Sequence, residues 1–427
     1  MKEHTAFLRG HNTAAMPHDW PMNRDAKKKK WTHPRHRIVR NIAAFLLRPY
    51  TRLVYGIRVE PFREQGKRPY LILFNHQTAF DQFFVGLAFS GAVYYVASED
   101  LFSNGWLSSL IRFLVAPIPI KKQTVDVRAV MDCLRVAREG GTIAMAPEGN
   151  RTYSGRTGYI NPAVAPLARK LRMPIALFRI EGGYGVHPRW SDVIRKGKMR
   201  GYVSRVIEPE AYAGMTDEQL CAEIRRELYV DEAVCDGAYN SKKSAEYLER
   251  ALYVCPVCGL SSFESKRDTL TCLTCGRTVR YRADKTLEGV GFSLPYRFVA
   301  DWYDAQSDYI NHLDLSRFTD TPMYRDETAS LYEVIPYQKK KRLCRDAEVS
   351  LWGDRMEIRC GENVRVFPFA RLSGVTVLGR NKLNLYHDGH ILQLRSGKRF
   401  NALKYVQIYH RYKNLEKGDE HEQFLGL

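Results

Sequence analysis

The sequence predicts an α/β domain with a mixed sheet flanked by helices, a small four-cysteine unit, and a C-terminal β-barrel or sandwich capped by one helix. Three observations carry this architecture. Between residues 61 and 232, short apolar runs of strand length alternate with segments of helical periodicity. Between 250 and 282, four cysteines stand as two C-x2-C pairs. From 346 to 400, short strand-like runs are separated by turns (WGDR, CGEN, GRNK, HDGH, RSGK), and a helical stretch follows at 401–415.

Residues 1–34 mix His, Pro and Asn with a KKKK run and show no hydrophobic periodicity, so they read as a flexible basic tail. Over 35–60, Ile38, Ile42, Phe45, Leu46 and Leu53 recur near helical spacing among Arg35, Arg37, Arg40, Arg48 and Arg52, with Pro49 expected to break the helix. A basic amphipathic helix of this kind can lie in a bilayer interface with its arginines on lipid phosphates. The same pattern also fits a helix packed on its own domain.

In the α/β segment, strands are expected at 70–74, 93–97, 142–146 and 174–180, and helices at 105–114, 125–139 and 162–171. The apolar stretch 82–98 contains two glycines and reads as a helix, a Ser-Gly turn and a strand. An acidic helical region covers 217–232, a mixed linker 283–338, and the C-terminal β unit 339–416.

The chain has 427 residues and 44% hydrophobic content, which excludes a disordered protein and allows two or three cores. Its formal charge of +19 is concentrated at the two ends: residues 1–60 hold 13 Lys/Arg against 4 Asp/Glu, and residues 339–427 hold 18 against 10. Basic ends favour an anionic surface, either a membrane or a nucleic acid. No uninterrupted run reaches the ~20 apolar residues of a spanning helix, and no signal-peptide core begins the chain. A place on the cytoplasmic face of a membrane, peripheral or monotopic, is the resulting expectation.

Cys255, Cys258, Cys272 and Cys275 occur as CPVCG and CLTCG, separated by 13 residues. This spacing predicts a zinc ribbon with four thiolates around Zn2+, a structural site because no coordination position stays open.

The stretch LILFNHQTAFDQFFVG places His76 where a strand stops and Asp81 where a helix begins. An imidazole held by a carboxylate can take a proton from an alcohol. No suitably flanked Ser or Cys stands nearby, so the pattern points to direct attack by the alcohol. Downstream, APEGNRT follows another strand: Gly149 permits close backbone approach, and Arg151 offers a planar fork for phosphate oxygens.

Together these motifs resemble the glycerolipid acyltransferases typified by 1-acylglycerol-3-phosphate acyltransferase. NHQTAFD is similar to the family's H-x4-D motif, and APEGNRT to its F-P-E-G-T-R-S motif. YYVASEDLF and LVAPIPIKK fall between them, and NPAVAPLARKLRMPIALFRI, with Pro174, follows in the family's order. The resemblance covers roughly 38–210. It implies acyl transfer from acyl-CoA or acyl-carrier protein to a lysophospholipid hydroxyl, with His76 as general base and Asp81 as its orienting partner. Glu148, Gly149 and Arg151 would help hold the acceptor's phosphate, with Lys121 or Lys122 standing where the family places Arg. Ser98 replaces the usual Lys, and Asn150 the usual Thr, which leaves the acceptor head group open.

The C-terminal strands and closing helix are similar in order to pleckstrin-homology (PH)-like domains, which would let Lys339, Lys340, Lys341, Arg380 and Lys382 meet anionic head groups; a structural or protein-binding role fits this unit equally. The alternative to an enzyme is a non-catalytic membrane-binding scaffold that keeps the fold. An intact His76 and Asp81 argue against it. A nucleic-acid binder leaves both motifs unexplained and lacks an evident aromatic-basic stacking surface, so no nucleic acid is expected.

Overall fold

The computed structural model describes residues 30–103, 105–120, 126–234, 236–335 and 338–418. Seven strands form the first sheet: β1 (Ile57–Val59), β2 (Leu71–Phe74), β3 (Val93–Ser98), β4 (Ile118–Ile120), β5 (Thr142–Met145), β6 (Ile175–Glu181) and β7 (Met199–Ile207). Their spatial order is β1-β7-β6-β2-β5-β3-β4. From β6 to β4 the strands run parallel, while β7 is antiparallel to β6 and parallel to β1. The sheet is therefore mixed, as expected.

Strand β2 is central, and all four of its residues are buried. Successive side chains face opposite sides. Leu71 and Leu73 enter a core with α4 (Val127–Arg138), α5 (Val164–Leu171) and α8 (Asp217–Leu228). Ile72 and Phe74 enter a second core with α2 (Asp81–Ala88). A strand covered on both faces has to be apolar throughout, which explains the unbroken run LILF.

The remaining helices of this unit are α1 (Pro34–Val54), α3 (Trp106–Val115), α6 (Gly183–Val186) and α7 (Pro209–Ala213). Contrary to expectation, α1 is not broken by Pro49 but runs through it. The carbonyl that Pro49 leaves without an amide donor belongs to Phe45, whose residue is 80% exposed, so solvent can satisfy it. The helix also faces the opposite way from a soluble helix. His36 and Thr51 are buried, Arg40 donates to Gly86 O (2.9 Å) and Phe89 O, and Ile38, Ile42, Phe45, Leu46 and Leu53 point outward.

Beyond this unit, β8 (Val254–Cys255) pairs with β9 (Gly259–Leu260), and β10 (Phe263–Lys266), β11 (Thr269–Cys272), β12 (Thr278–Tyr281) and β13 (Leu287–Gly289) form an antiparallel meander. Helix α9 (Val299–Asn311) ties the first pair down through Trp302 Nε1, which donates to Val254 O at 2.8 Å. The last sheet contains β14 (Tyr324–Glu333), β15 (Lys341–Leu351), β16 (Arg355–Cys360), β17 (Asn363–Pro368), β18 (Leu372–Leu378), β19 (Lys382–His387) and β20 (His390–Arg395). It is antiparallel, in the order β17-β16-β15-β14-β20-β19-β18, and α10 (Leu403–Glu416) packs against it. This sheet begins at Tyr324, inside the stretch expected to be a linker. Its two end strands, β17 and β18, are not paired with each other, so the sheet is curled rather than closed.

The first unit and the later ones share a packed seam. Tyr153, Tyr184 and Trp190 join one apolar cluster with the meander, α9 and the last sheet. The connecting segment is anchored by Tyr239, a buried ring lying where Cβ atoms on Gly185, Gly197 and Gly237 would otherwise stand. Gly56 marks a second close approach: its φ is +63°, and an added Cβ would lie 2.1 Å from Gly197 O. Gly56→Ala is expected to cost about 1–2 kcal/mol for the left-handed backbone alone, and more for the collision. Urea denaturation should show a lower midpoint than wild type.

Candidate active site

The loop leaving β2 is fixed at its first residue. The Asn75 side chain accepts from Ile180 N (2.7 Å) and donates to Ile180 O (2.9 Å), imitating a strand partner for β6. His76 follows, its side chain 23% exposed, with Nδ1 2.8 Å from Asp81 Oδ2. Asp81 is fully buried at the start of α2 and also accepts from Gln77 N (2.7 Å), Thr78 N (2.9 Å) and Thr78 Oγ1 (2.7 Å). Its carboxylate can only accept in these contacts, so the imidazole proton sits on Nδ1 and the basic lone pair on Nε2. This is the arrangement needed to withdraw a proton from a hydroxyl.

The loop after β5 lies against the first one: Thr152 N donates to His76 O at 3.2 Å. Gly149 takes φ +69°, turning the chain so that its amide reaches Ala146 O at 3.0 Å. Glu148 accepts from His76 N (2.7 Å) and Gly158 N (2.6 Å), spending one oxygen on each loop. Burial of its carboxyl, reinforced by Asp81, pushes its pKa up to about 8 against the pull of those two amides. Arg151 is only 8% exposed, and its Nη1 is buried without a partner. Burial, then repulsion from Arg189 and Arg380, lowers its pKa to about 9, with Asp81 opposing. Lys121 and Lys122 lie outside the described residues.

Glu148, Arg151, His76 and Asp81 thus share one place, and the structure adds groups that the motifs do not announce. Arg189, itself buried, donates to Arg151 O (2.8 Å) and reaches across the seam to Gly379 O (3.0 Å) and Val377 O (3.2 Å) at the end of β18. Arg380, in the turn after β18, sets Nη2 2.7 Å from His187 Nε2 and Nη1 3.0 Å from Asp192 Oδ1. His187 in turn lies 3.4 Å from the hydroxyl of Tyr55, whose ring packs on Phe80 beside Asp81. Arg380, expected with Lys339, Lys340, Lys341 and Lys382 to meet anionic head groups, has its guanidinium engaged in the seam by His187 and Asp192. No spacing rule connects residues 76, 187 and 380, and only the fold brings them together.

Cys255, Cys258, Cys272 and Cys275 form a separate cluster, their Sγ atoms all within 4.8 Å of one another. Cys255 and Cys275 are 3.8 Å apart, and Cys258 and Cys272 3.6 Å. Tetrahedral zinc with Zn–S of ~2.3 Å requires sulfurs about 3.8 Å apart, so this donor set fits a closed four-thiolate site.

The family model described as Acyltransferase matches residues 54–180. Among curated relatives, a chloroplastic 1-acyl-sn-glycerol-3-phosphate acyltransferase of Brassica napus is 25% identical over 167 residues, 38% of this chain and 45% of the relative. Another, from Arabidopsis thaliana, is 22% identical over 184 residues, 41% of this chain and 48% of the relative. The chain therefore spans about half the length of the curated relatives it matches. Among solved structures, the 1-acyl-sn-glycerophosphate acyltransferase of Thermotoga maritima aligns with a TM-score of 0.39 and 22% identity, covering 45% of this chain and 78% of that one.

His187 supplies a pH test of the seam. Burial, then Arg380, Arg151 and Arg195, lower its pKa to about 3, with Asp192 opposing. The folded protein keeps it neutral while the unfolded chain protonates it near the ordinary value of about 6.5. Its contribution is therefore fully present above about pH 6.5 and is lost as pH falls toward 3. Between pH 7.5 and 5, the urea midpoint of wild type should fall more steeply than that of His187→Gln.

Proposed function

We propose that the chain transfers a fatty acyl group from acyl-CoA or acyl-carrier protein to the hydroxyl of a lysophospholipid such as 1-acylglycerol-3-phosphate, a reading supported by the match of residues 54–180 to the Acyltransferase family model and by the similarity to 1-acyl-sn-glycerol-3-phosphate acyltransferases. The observation that carries this reading is the His76–Asp81 pair, held at 2.8 Å beside a buried arginine with an unpartnered N–H. His76 Nε2 takes the acceptor's hydroxyl proton as the oxygen attacks the thioester carbonyl. Asp81 stabilises the imidazolium that forms. The tetrahedral intermediate then expels the thiolate, which recovers the proton from His76, leaving an ester and a free thiol. Arg151 binds the acceptor's phosphate. Glu148, whose oxygens are spent on the amides of His76 and Gly158, acts by holding the two loops together.

The outward face of α1 supports a membrane location. Leu53 is 84% exposed and Phe45 80%, and α3 adds Trp106 at 76% with Leu110 and Phe113. An apolar patch of this kind on a soluble surface calls for a cover. Arg37, Arg48 and Arg52 are exposed along the same helix, where they can meet anionic lipid phosphates while the apolar residues enter the acyl boundary. Among the described residues, no helix is long and apolar enough to cross a membrane, so α1 would lie along the interface.

The ribbon cysteines would hold Zn2+, which fastens β8–β9 to the meander and takes no part in transfer. The C-terminal sheet, with its curled seven-strand order and closing helix, supports the PH-like reading of that unit.

The test uses labelled palmitoyl-CoA and a panel of lysophospholipids in anionic liposomes. His76→Ala should reduce kcat by about a hundred-fold or more while the protein still floats with the vesicles. Full activity in that variant would remove the mechanism, and failure of wild type to float would remove the membrane location. Cys255→Ser should lower bound zinc and the unfolding midpoint together, read by metal analysis and denaturation. Unchanged metal content would contradict the ligand set.

A further inference from the structure

The seam between the first unit and the C-terminal sheet holds more buried cation than anion. Arg189 donates to the carbonyl of Arg151 on one side and to those of Val377 and Gly379, next to Arg380, on the other, and Arg151 feels the charge of both Arg189 and Arg380. Facing them is the carboxylate of Asp81, already committed to His76 and the loop amides. Asp192, which meets Arg380, is shared with the buried Arg250 through a two-pronged pair at 2.8 and 3.3 Å. His187 touches Arg380 but is neutral at neutral pH.

Two guanidinium N–H groups in this cluster, Arg151 Nη1 and Arg380 Nε, are buried with no partner. Arg151 comes from the first unit and Arg380 from the second. A buried guanidinium donor without an acceptor is costly, and planar forks of this kind suit phosphate oxygens. This excess of positive charge suits a phosphate monoester, which carries about −1.5 to −2 at pH 7, better than a singly charged diester.

We propose that Arg380, carried by the turn between β18 and β19, joins Arg151 in binding the acceptor's phosphate monoester, so that the C-terminal sheet completes the acceptor site. This inference rests on the acyltransferase reading and extends it to head-group choice. Arg189 places the turn by holding the carbonyls of Val377 and Gly379, and Asp192 and His187 orient the Arg380 fork.

The experiment compares full-length wild type, Arg380→Ala and Arg380→Lys, with zinc content and unfolding midpoint checked first. Steady-state constants are measured for 1-acylglycerol-3-phosphate, for a lysophosphatidylglycerol diester and for palmitoyl-CoA. Arg380→Ala should raise KM for the monoester about ten- to a hundred-fold, change kcat by less than about threefold, and leave KM for palmitoyl-CoA alone. It should also narrow the preference for monoester over diester, and Arg380→Lys should fall between, keeping charge without the fork.

An unchanged monoester KM in a folded Arg380→Ala overturns the proposal, as does a shift confined to palmitoyl-CoA, which would give the phosphate to the donor. If Arg380→Ala fails to fold, Arg380→Lys decides, and a wild-type monoester KM in it overturns the proposal. A separate arm follows thermal unfolding with glycerol 3-phosphate. Stabilisation of wild type that Arg380→Ala loses supports the anion site even if no acceptor is acylated, an outcome that would sink the reaction alone. No stabilisation of wild type, or equal stabilisation of both proteins, counts against the site.

Discussion

The candidate site is organised around one buried carboxylate. Removing Asp81 from water is expensive unless its oxygens are filled, and the chain fills them with donors from its own preceding turn: His76 Nδ1, Gln77 N, Thr78 N and Thr78 Oγ1. That requirement curls residues 76–80 around the start of α2. The curl fixes the imidazole's tautomer, while Glu148 and Thr152 of the loop after β5 hold the main chain of His76. The Asn75 amide, paired to Ile180, then pins the whole turn to the middle of the sheet. The pairing of the base with Asp81 is thus local in sequence and central in space.

Charge at the seam follows a different rule. Arg189, Arg195 and Arg250 are almost completely buried, and their donors go largely to main-chain carbonyls: Arg151 and Gly379 for Arg189, Gly185 and Ser244 for Arg195, Trp190 and Lys398 for Arg250. Aromatic faces complete the coordination, with Arg189 over Tyr153 and Arg195 between Trp190 and Tyr281. Carbonyl and ring partners meet most of these guanidinium donors and leave the charge of Arg189 and Arg195 uncancelled, whereas Arg250 is also paired with Asp192. Among these joining groups, Arg189 also bears electrostatically on Arg151, and Arg195 on His187.

What could be read from the sequence depended on whether the controlling contacts were local. Leu71–Phe74 was legible because burial on both faces demands an unbroken apolar run, and α4 and α5 because a single buried face gives helical periodicity. The cysteine cluster was legible because its knuckles are short-range. Strand β7 carries no clear strand pattern, since its run MRGYVSRVI interleaves charged residues on an exposed flank. Strand β14 reads as linker because YRDETASLYE carries charges on its open side. Pro49 predicted a break that exposure of Phe45 makes unnecessary. His76 and Asp81 sit five residues apart and could be paired from spacing, whereas Arg189, His187 and Arg380 reach the same place only through packing of separate units.

The seat of Tyr239 carries a consequence for how this chain can change over generations. Its ring occupies volume that three separate backbone positions, Gly185, Gly197 and Gly237, leave vacant by having no side chain. A methyl group at Gly185 or Gly197 would collide with the ring, and a smaller residue at 239 would leave a hollow that no one glycine could refill. Gly185 and Gly197 are therefore tied to the aromatic ring at 239: while that ring stays, neither position can take a side chain.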